Sequence, residues 1–181
     1  FVPTNSMKQR RSIRLQGFDY GSEGWYFVTL CTHNRLCIFG DIHCDTVRHS
    51  LLGQIAQEHW LRIPEFFPWV TLDEFVIMPN HMHGIICIDE HEHSEPIPVT
   101  ATTKPVGTRG TLGSMIRGFK SAVTKNARLK SGAKEVWQRN YWEHIVRGHE
   151  SLVAIREYVV NNPLRWDCDS LNPQNQATRR M

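Results

Sequence analysis

No apolar run in this 181-residue chain approaches the roughly 18 residues that span a bilayer. The first residues also lack the apolar centre of a signal peptide. Membrane insertion and export are therefore not expected, and the predicted location is cytoplasmic. There is no C-x-x-C pair either. Cys31, Cys37, Cys44, Cys87 and Cys168 are odd in number and widely spaced, which argues against a disulfide framework or a cysteine zinc knot and reads as reduced thiols. Internal repeats are absent, and neither sign of charge dominates: 21 Lys and Arg stand against 18 Asp and Glu. With 40% hydrophobic and 22% charged residues, disorder throughout is excluded. The length suits one domain with a real core.

What charge there is falls unevenly. Lys8, Arg10, Arg11 and Arg14 crowd the N-terminal region, and Arg117, Lys120, Lys125, Arg128, Lys130 and Lys134 crowd a later segment. Such clusters fit a polyanion partner, and equally a solvated basic helix face. Residues 1–10 read as a flexible tail, 11–166 as a single domain with a mobile loop at 89–109, and 167–181 as a loose polar tail. Met7 is a candidate start, which would leave Phe1–Ser6 outside the fold.

Within the domain, Trp25–Thr32 is aromatic and β-branched and predicts a strand. From Asp45 to Arg62, Val47, Leu51, Leu52, Ile55, Ala56 and Trp60 recur at helical spacing, with Pro64 beyond. Trp69–Met78 and His81–Ile88 predict two antiparallel strands about a break at Pro79-Asn80. Leu112, Met115, Ile116, Phe119 and Val123 predict a helix over 111–129 that Gly132 ends. Val136–Val146 predicts an extended segment or hairpin, and a last helix runs from Glu150 to Asn161 or Asn162, where Pro163 stops it. The order β, α, β, β, α, β, α implies an α+β fold, an antiparallel sheet with helices packed on one side in a ferredoxin-like or RRM-like arrangement.

Chemistry concentrates in Met78-Pro79-Asn80-His81-Met82-His83. On a strand, residues i and i+2 share a face, so His81 and His83 stand side by side about 7 Å apart at Cβ while Met82 points into the core. Two neutral imidazoles so placed can share a cation; they can also be buried histidines satisfied by hydrogen bonds. Tyr158 and Asn162, four residues apart, share one face of the last helix. Asn162 offers a neutral oxygen ligand, Tyr158 an oxygen nucleophile. Such a set leaves positions open for water and a phosphate oxygen, as a catalytic Mg²⁺ or Mn²⁺ requires. Taken singly, Tyr158 reads as a packed helix aromatic, and Asn162 as a helix C-terminal residue. Tyr141 is the rival nucleophile but has no ligand four residues on. His91-Glu92-His93 repeats the spacing in a polar stretch with no apolar face, and His144 reads as a packed core histidine. Trp25, Trp137 and Trp142 are candidate stacking platforms for bases.

Four ordered stretches resemble one family: Arg11-Ser12-Ile13-Arg14-Leu15 leading to Tyr26-Phe27-Val28-Thr29; Met78–His83; Leu112-Gly113-Ser114-Met115-Ile116-Arg117-Gly118-Phe119-Lys120; and Tyr141–Arg147 leading to Tyr158-Val159-Val160-Asn161-Asn162-Pro163. These resemble the REP-associated tyrosine transposases, within the HUH single-strand transposase superfamily, over most of residues 9–165. The resemblance implies a DNA transposase or nickase in which His81, His83 and Asn162 hold a divalent metal ion, Mg²⁺ or Mn²⁺. Tyr158 would attack a phosphate of single-stranded hairpin DNA, leaving a 5′-phosphotyrosine and a free 3′-hydroxyl. The superfamily commonly has glutamine where Asn162 stands, so the shorter amide implies a tyrosine helix closer to the metal. Arg117, Lys120 and Lys125 are expected on phosphates, and Arg11 and Arg14 on flanking bases or backbone. Either a monomer or a homodimer is compatible. A non-catalytic single-stranded nucleic-acid-binding domain and a hydrolase using water are the competing readings.

Overall fold

The computed structural model describes residues 20–90 and 110–178. Arg11, Arg14, the His91–His93 pair and most of the expected 89–109 loop lie outside them.

A four-stranded antiparallel sheet forms the frame. Its strands are β1 (Gly24–Cys31), β4 (Val70–Ile77), β5 (His81–Ile88) and β6 (Trp142–Val146), ordered β4-β5-β1-β6. The two central strands are antiparallel neighbours, with Cys31 opposite His81 and Thr29 opposite His83. Helices α1 (Leu51–Leu61) and α3 (Leu112–Ser131) make the two crossovers, giving the ferredoxin-like order the sequence predicts. Both cover one face. There Tyr26, Val28 and Leu30 of β1 and Met82, Ile86 and Ile88 of β5 join Trp60 and Phe119 in the main core. Each helix end has a local cause. Ser50 Oγ accepts from the Gly53 amide at the start of α1, and Thr111 caps α3, which ends at left-handed Gly132 (φ 73°).

The structure departs from the sequence expectation at three places. The helix expected from Asp45 begins at Leu51, because Thr46–His49 forms strand β3 paired with β2 (Gly40–His43). Cys44 and Asp45 both take positive φ (47° and 60°) in the connection. That is the signature of a tight hairpin turn, formed here without the Asn-Gly or Asp-Gly pair that usually announces it. The helices do not all lie on one side: α4 (His149–Val160) packs on the opposite face, where Phe27, Ile85, Val146, Leu152 and Val159 form a second core. Pro163 does not end the structure. It opens a 3₁₀ turn, Pro163–Cys168, at a first-turn position where its missing N–H costs nothing. A short helix, α5 (Pro173–Thr178), follows the turn. Up to Thr178, the last described residue, the polar segment after Trp166 is therefore folded rather than loose, held by Asn80 Nδ2 donating to Leu171 O (2.8 Å) and by Asn172 Nδ2 donating to Trp166 O (3.0 Å).

Covered on both faces, β5 is buried at every position. Gly84 is the point of closest approach: a Cβ there would lie 2.3 Å from the Trp60 ring. Among the described residues no helix is long and apolar enough to cross a membrane. Gly84→Ala should cost about 1–3 kcal/mol in urea unfolding through overpacking. Gly118→Ala, in α3 with nothing within 4 Å of a new Cβ, should stabilise by about 0.5–1 kcal/mol; equal effects at the two sites would refute the packing account.

Candidate active site

The second face of β5 carries His81 and His83, 0% and 3% exposed, with ring centroids 4.6 Å apart. Met82 points to the main core behind them, as alternation requires. The ring orientations are fixed by neighbours. Asn80 Nδ2 donates to Arg35 O and Leu171 O, so its Oδ1 faces His81 Nδ1 at 2.8 Å. An amide oxygen only accepts, so His81 Nδ1 carries the proton and Nε2 keeps its lone pair. His83 Nδ1 lies 2.8 Å from Thr29 Oγ1, directly across the strand pair. With that nitrogen donating to the hydroxyl, His83 Nε2 accepts from Tyr158 Oη at 3.2 Å.

Tyr158 reaches the histidines because α4 lies across this face. Phe27 stacks on the His83 ring at 5.4 Å and meets the Tyr158 ring edge-on at 6.1 Å. Arg156, on the same helix, forms a bidentate pair with Asp73 of β4. Asp73 turns to that face at a bulge between Leu72 and Phe75. Burial alone would raise the Asp73 pKa, but the Arg156 hydrogen bond, the Glu74 amide and the Arg156 charge hold it below the ordinary value. Beyond α4, Asn162 is 2% exposed.

Burial pushes His81 down to about 4, against the Asp169 carboxylate and the Asn162 amide, which favour its charged form. His83 is lowered by burial and by His81. Both rings are thus neutral near pH 7, the form that ligates metal. Tyr158 is raised, first by burial and then by the Asp169 charge, against Asn162 and Arg165. It is a protonated phenol at neutral pH.

Among the described residues no three His, Cys, Asp or Glu side chains already stand close enough together to hold a metal. The fit to a cation rests on orphaned atoms. His81 Nε2 and Asn162 Oδ1 are buried without hydrogen-bond partners, and each is an electron-pair donor. Leaving such atoms unpaired costs about 1–3 kcal/mol apiece, a cost that a divalent ion removes.

The expected DNA contacts divide. Arg117 and Lys125 are exposed on α3. Lys120 Nζ instead donates to Gln138 O (2.5 Å) and Asn140 O (3.3 Å) and sits over the Trp137 ring, with its pKa lowered by burial to about 8. It ties α3 to the segment entering β6. Two adjoining clefts, of about 540 and 480 Å³, share Gln138 and Arg139. Lys125, Arg128 and Lys134 line the larger and Arg35 the smaller. Gln138 N donates to Cys31 O, opposite His81, so these clefts open at the histidine end of the sheet. Tyr141 is half-buried against the main core, away from the histidine face. His144 is exposed rather than packed: it stacks parallel on Trp142 (6.0 Å, 4°) on β6, an edge strand of the sheet. Sequence reasoning missed Thr29 and Asn80 as partners of the histidine rings. Asn80 reads as a turn residue, and Thr29 as any strand threonine.

No family model matches the chain. A protein of Haemophilus influenzae with no assigned function is 48% identical over 166 residues, spanning 90% of this chain and 92% of its own. A second protein of that organism, named "Putative REP-associated tyrosine transposase", is 26% identical over 147 residues, covering 81% of this chain and 74% of its own. Among solved structures, a REP-associated tyrosine transposase bound to a REP hairpin superposes with a TM-score of 0.57 at 19% identity, over 88% of this chain and 74% of that one. The shared architecture is the ferredoxin-like antiparallel sheet with helices packed on it. The chain is similar in sequence to a protein named as a REP-associated tyrosine transposase and shares the fold of the solved one.

Asp73→Asn should lower stability by no more than about 1 kcal/mol at pH 7, since Arg156 is 37% exposed. Because the Asp73 pKa is depressed, its contribution is present above the ordinary carboxylate value and lost as pH falls through the lower folded value. Wild type and variant should therefore converge below about pH 4 in thermal melts. A gap unchanged down to pH 2 would exclude the ion pair as its source.

Proposed function

We propose that this protein is a divalent-cation-dependent transposase or nickase that cleaves and rejoins single-stranded hairpin DNA through Tyr158. The observation that carries this reading is the Tyr158 Oη on His83 Nε2, beside the unpartnered His81 and Asn162 donors, all within one chain. Hairpin DNA is taken as the substrate because the solved neighbour is bound to a REP hairpin.

His81, His83 and Asn162 would hold Mg²⁺ or Mn²⁺, which when bound polarises a phosphate oxygen and offsets charge developing at phosphorus. The chain's own residues supply the rest. Arg156 and Asp73 fix α4 so that the hydroxyl faces the histidines. Tyr158 Oη bonds to phosphorus as the bond from phosphorus to the 3′-oxygen breaks. The phenolic proton ends on the leaving 3′-hydroxyl, leaving a 5′-phosphotyrosine. The reverse attack by a 3′-hydroxyl rejoins DNA without ATP, since one phosphodiester replaces another. Arg35, Arg139, Lys125 and Arg128 along the clefts provide phosphate contacts leading to the site. Trp142, 47% exposed with its ring 5.7 Å from Phe27, provides a stacking platform for an unpaired base.

Labelled single strands incubated with the protein and Mn²⁺ should yield a covalent adduct. Tyr158→Phe should abolish it, as should chelation of the metal. An adduct persisting in Tyr158→Phe would overturn the nucleophile, and cleavage with free 5′-phosphate ends and no adduct would identify a hydrolase. Salt-sensitive binding without cleavage, unchanged in His81→Ala, would identify a binding domain. Trp142→Ala should weaken single-strand binding by about 1–3 kcal/mol, read by fluorescence anisotropy of the labelled strand, and leave thermal stability nearly unchanged.

A further inference from the structure

The folded segment after α4 delivers a carboxylate to the histidines. Asp169 follows the Pro163–Cys168 turn, its amide donating to Trp166 O at 3.0 Å. Its Oδ1 accepts from the Leu171 amide at 2.7 Å, which fixes the plane of the carboxylate. The other oxygen, Oδ2, lies 3.8 Å from His81 Nε2. The side chain is 7% exposed, yet Oδ2 has no hydrogen-bond partner.

An ordinary His–Asp hydrogen bond does not explain this pair. Asn80 holds the His81 proton on Nδ1, so Nε2 presents a lone pair to Oδ2. Asn162 Oδ1 is the third buried orphan of the group. Three unpartnered electron-pair donors, one of them a full negative charge, repel one another in a desolvated space. A divalent cation among them converts that repulsion into three bonds.

We propose that Asp169 Oδ2 is a ligand of the cation, joining His81, His83 and Asn162; this rests on the metal-dependent reading above. A carboxylate and an amide make half of the ligand set oxygen, which suits Mg²⁺ and Mn²⁺ better than a softer ion. Asp169 also gives the Asn80 wiring a purpose. One amide orients His81 through Oδ1 and anchors the Asp169 segment through Nδ2 on Leu171 O, so two ligands are set by one side chain.

The test is Mn²⁺ binding without DNA, read from the loss of the free-ion electron paramagnetic resonance signal on titrating the full chain. Asp169→Asn keeps an oxygen for the Leu171 amide and removes the charge; it should weaken Mn²⁺ at least about tenfold. Asp169→Ala should weaken it further, with thermal melts confirming that both variants are folded. Tyr158→Phe, which frees the His83 Nε2 lone pair of its hydrogen bond, should bind Mn²⁺ at least as tightly as wild type. Wild-type affinity in folded Asp169→Asn and Asp169→Ala, together with loss in His81→Ala, would overturn Asp169 as a ligand and leave the metal reading standing. No Mn²⁺ binding by the wild-type chain would overturn the metal reading and the ligand with it.

Discussion

The burial of β5 on both faces is the constraint on which the site depends. Met82, Gly84 and Ile86 are held by α1 and α3, and Gly84 lets Trp60 lie against the strand itself. On the other side α4 closes over Ile85 and His83. The histidines therefore cannot be solvated, and their polar atoms must find partners within the protein or on something it binds. Thr29 and Asn80 satisfy one nitrogen of each ring. The second nitrogens face the tyrosine and the orphaned oxygens. Packing has thus set both the protonation of the rings and the direction in which their lone pairs point.

That arrangement also explains why the tyrosine is where it is. Its hydroxyl is too weak an acid to ionise at neutral pH and so is a poor nucleophile alone, and burial raises its pKa further. What the structure supplies is position. The bulge that turns Asp73 toward α4 gives Arg156 its partner, and Phe27 spaces the His83 and Tyr158 rings. The electrostatics of this face are local and short-range, matching a chain whose net charge is only +3.

Much of this was legible in the sequence, for identifiable reasons. The alternation His81-Met82-His83 determines which side chain meets the core, whereas Asn162, expected on one helix face with Tyr158, lies just past the end of α4 at Val160. Strand β5 has the bounds its composition implies. The hairpin of β2 and β3 was not legible, because its turn at Cys44-Asp45 takes positive φ at both residues without a glycine. Nor was the second covered face, since α4 follows the four sheet strands and periodicity does not say on which side a helix lands. Lys120 shows the limit of charge as a signal: the same cation that suits phosphate can be spent on two backbone carbonyls. Asp169 carried no signal, sitting in a polar stretch that becomes ordered only through contacts with Asn80 and with its own turns.

The Asn80 amide bridges the centre of the sheet and a segment made far later in the chain. During synthesis the ferredoxin-like frame can close as soon as β6 has emerged, with His81 already buried beside β1. The Leu171 carbonyl that receives Asn80 Nδ2 does not yet exist at that moment. Until it arrives the amide is held by the Arg35 carbonyl alone, at 3.2 Å, and the tautomer of His81 is less firmly fixed. A nascent chain can thus reach its tertiary frame before this amide gains its second and shorter anchor, so the site matures last, on completion of the C-terminal turns.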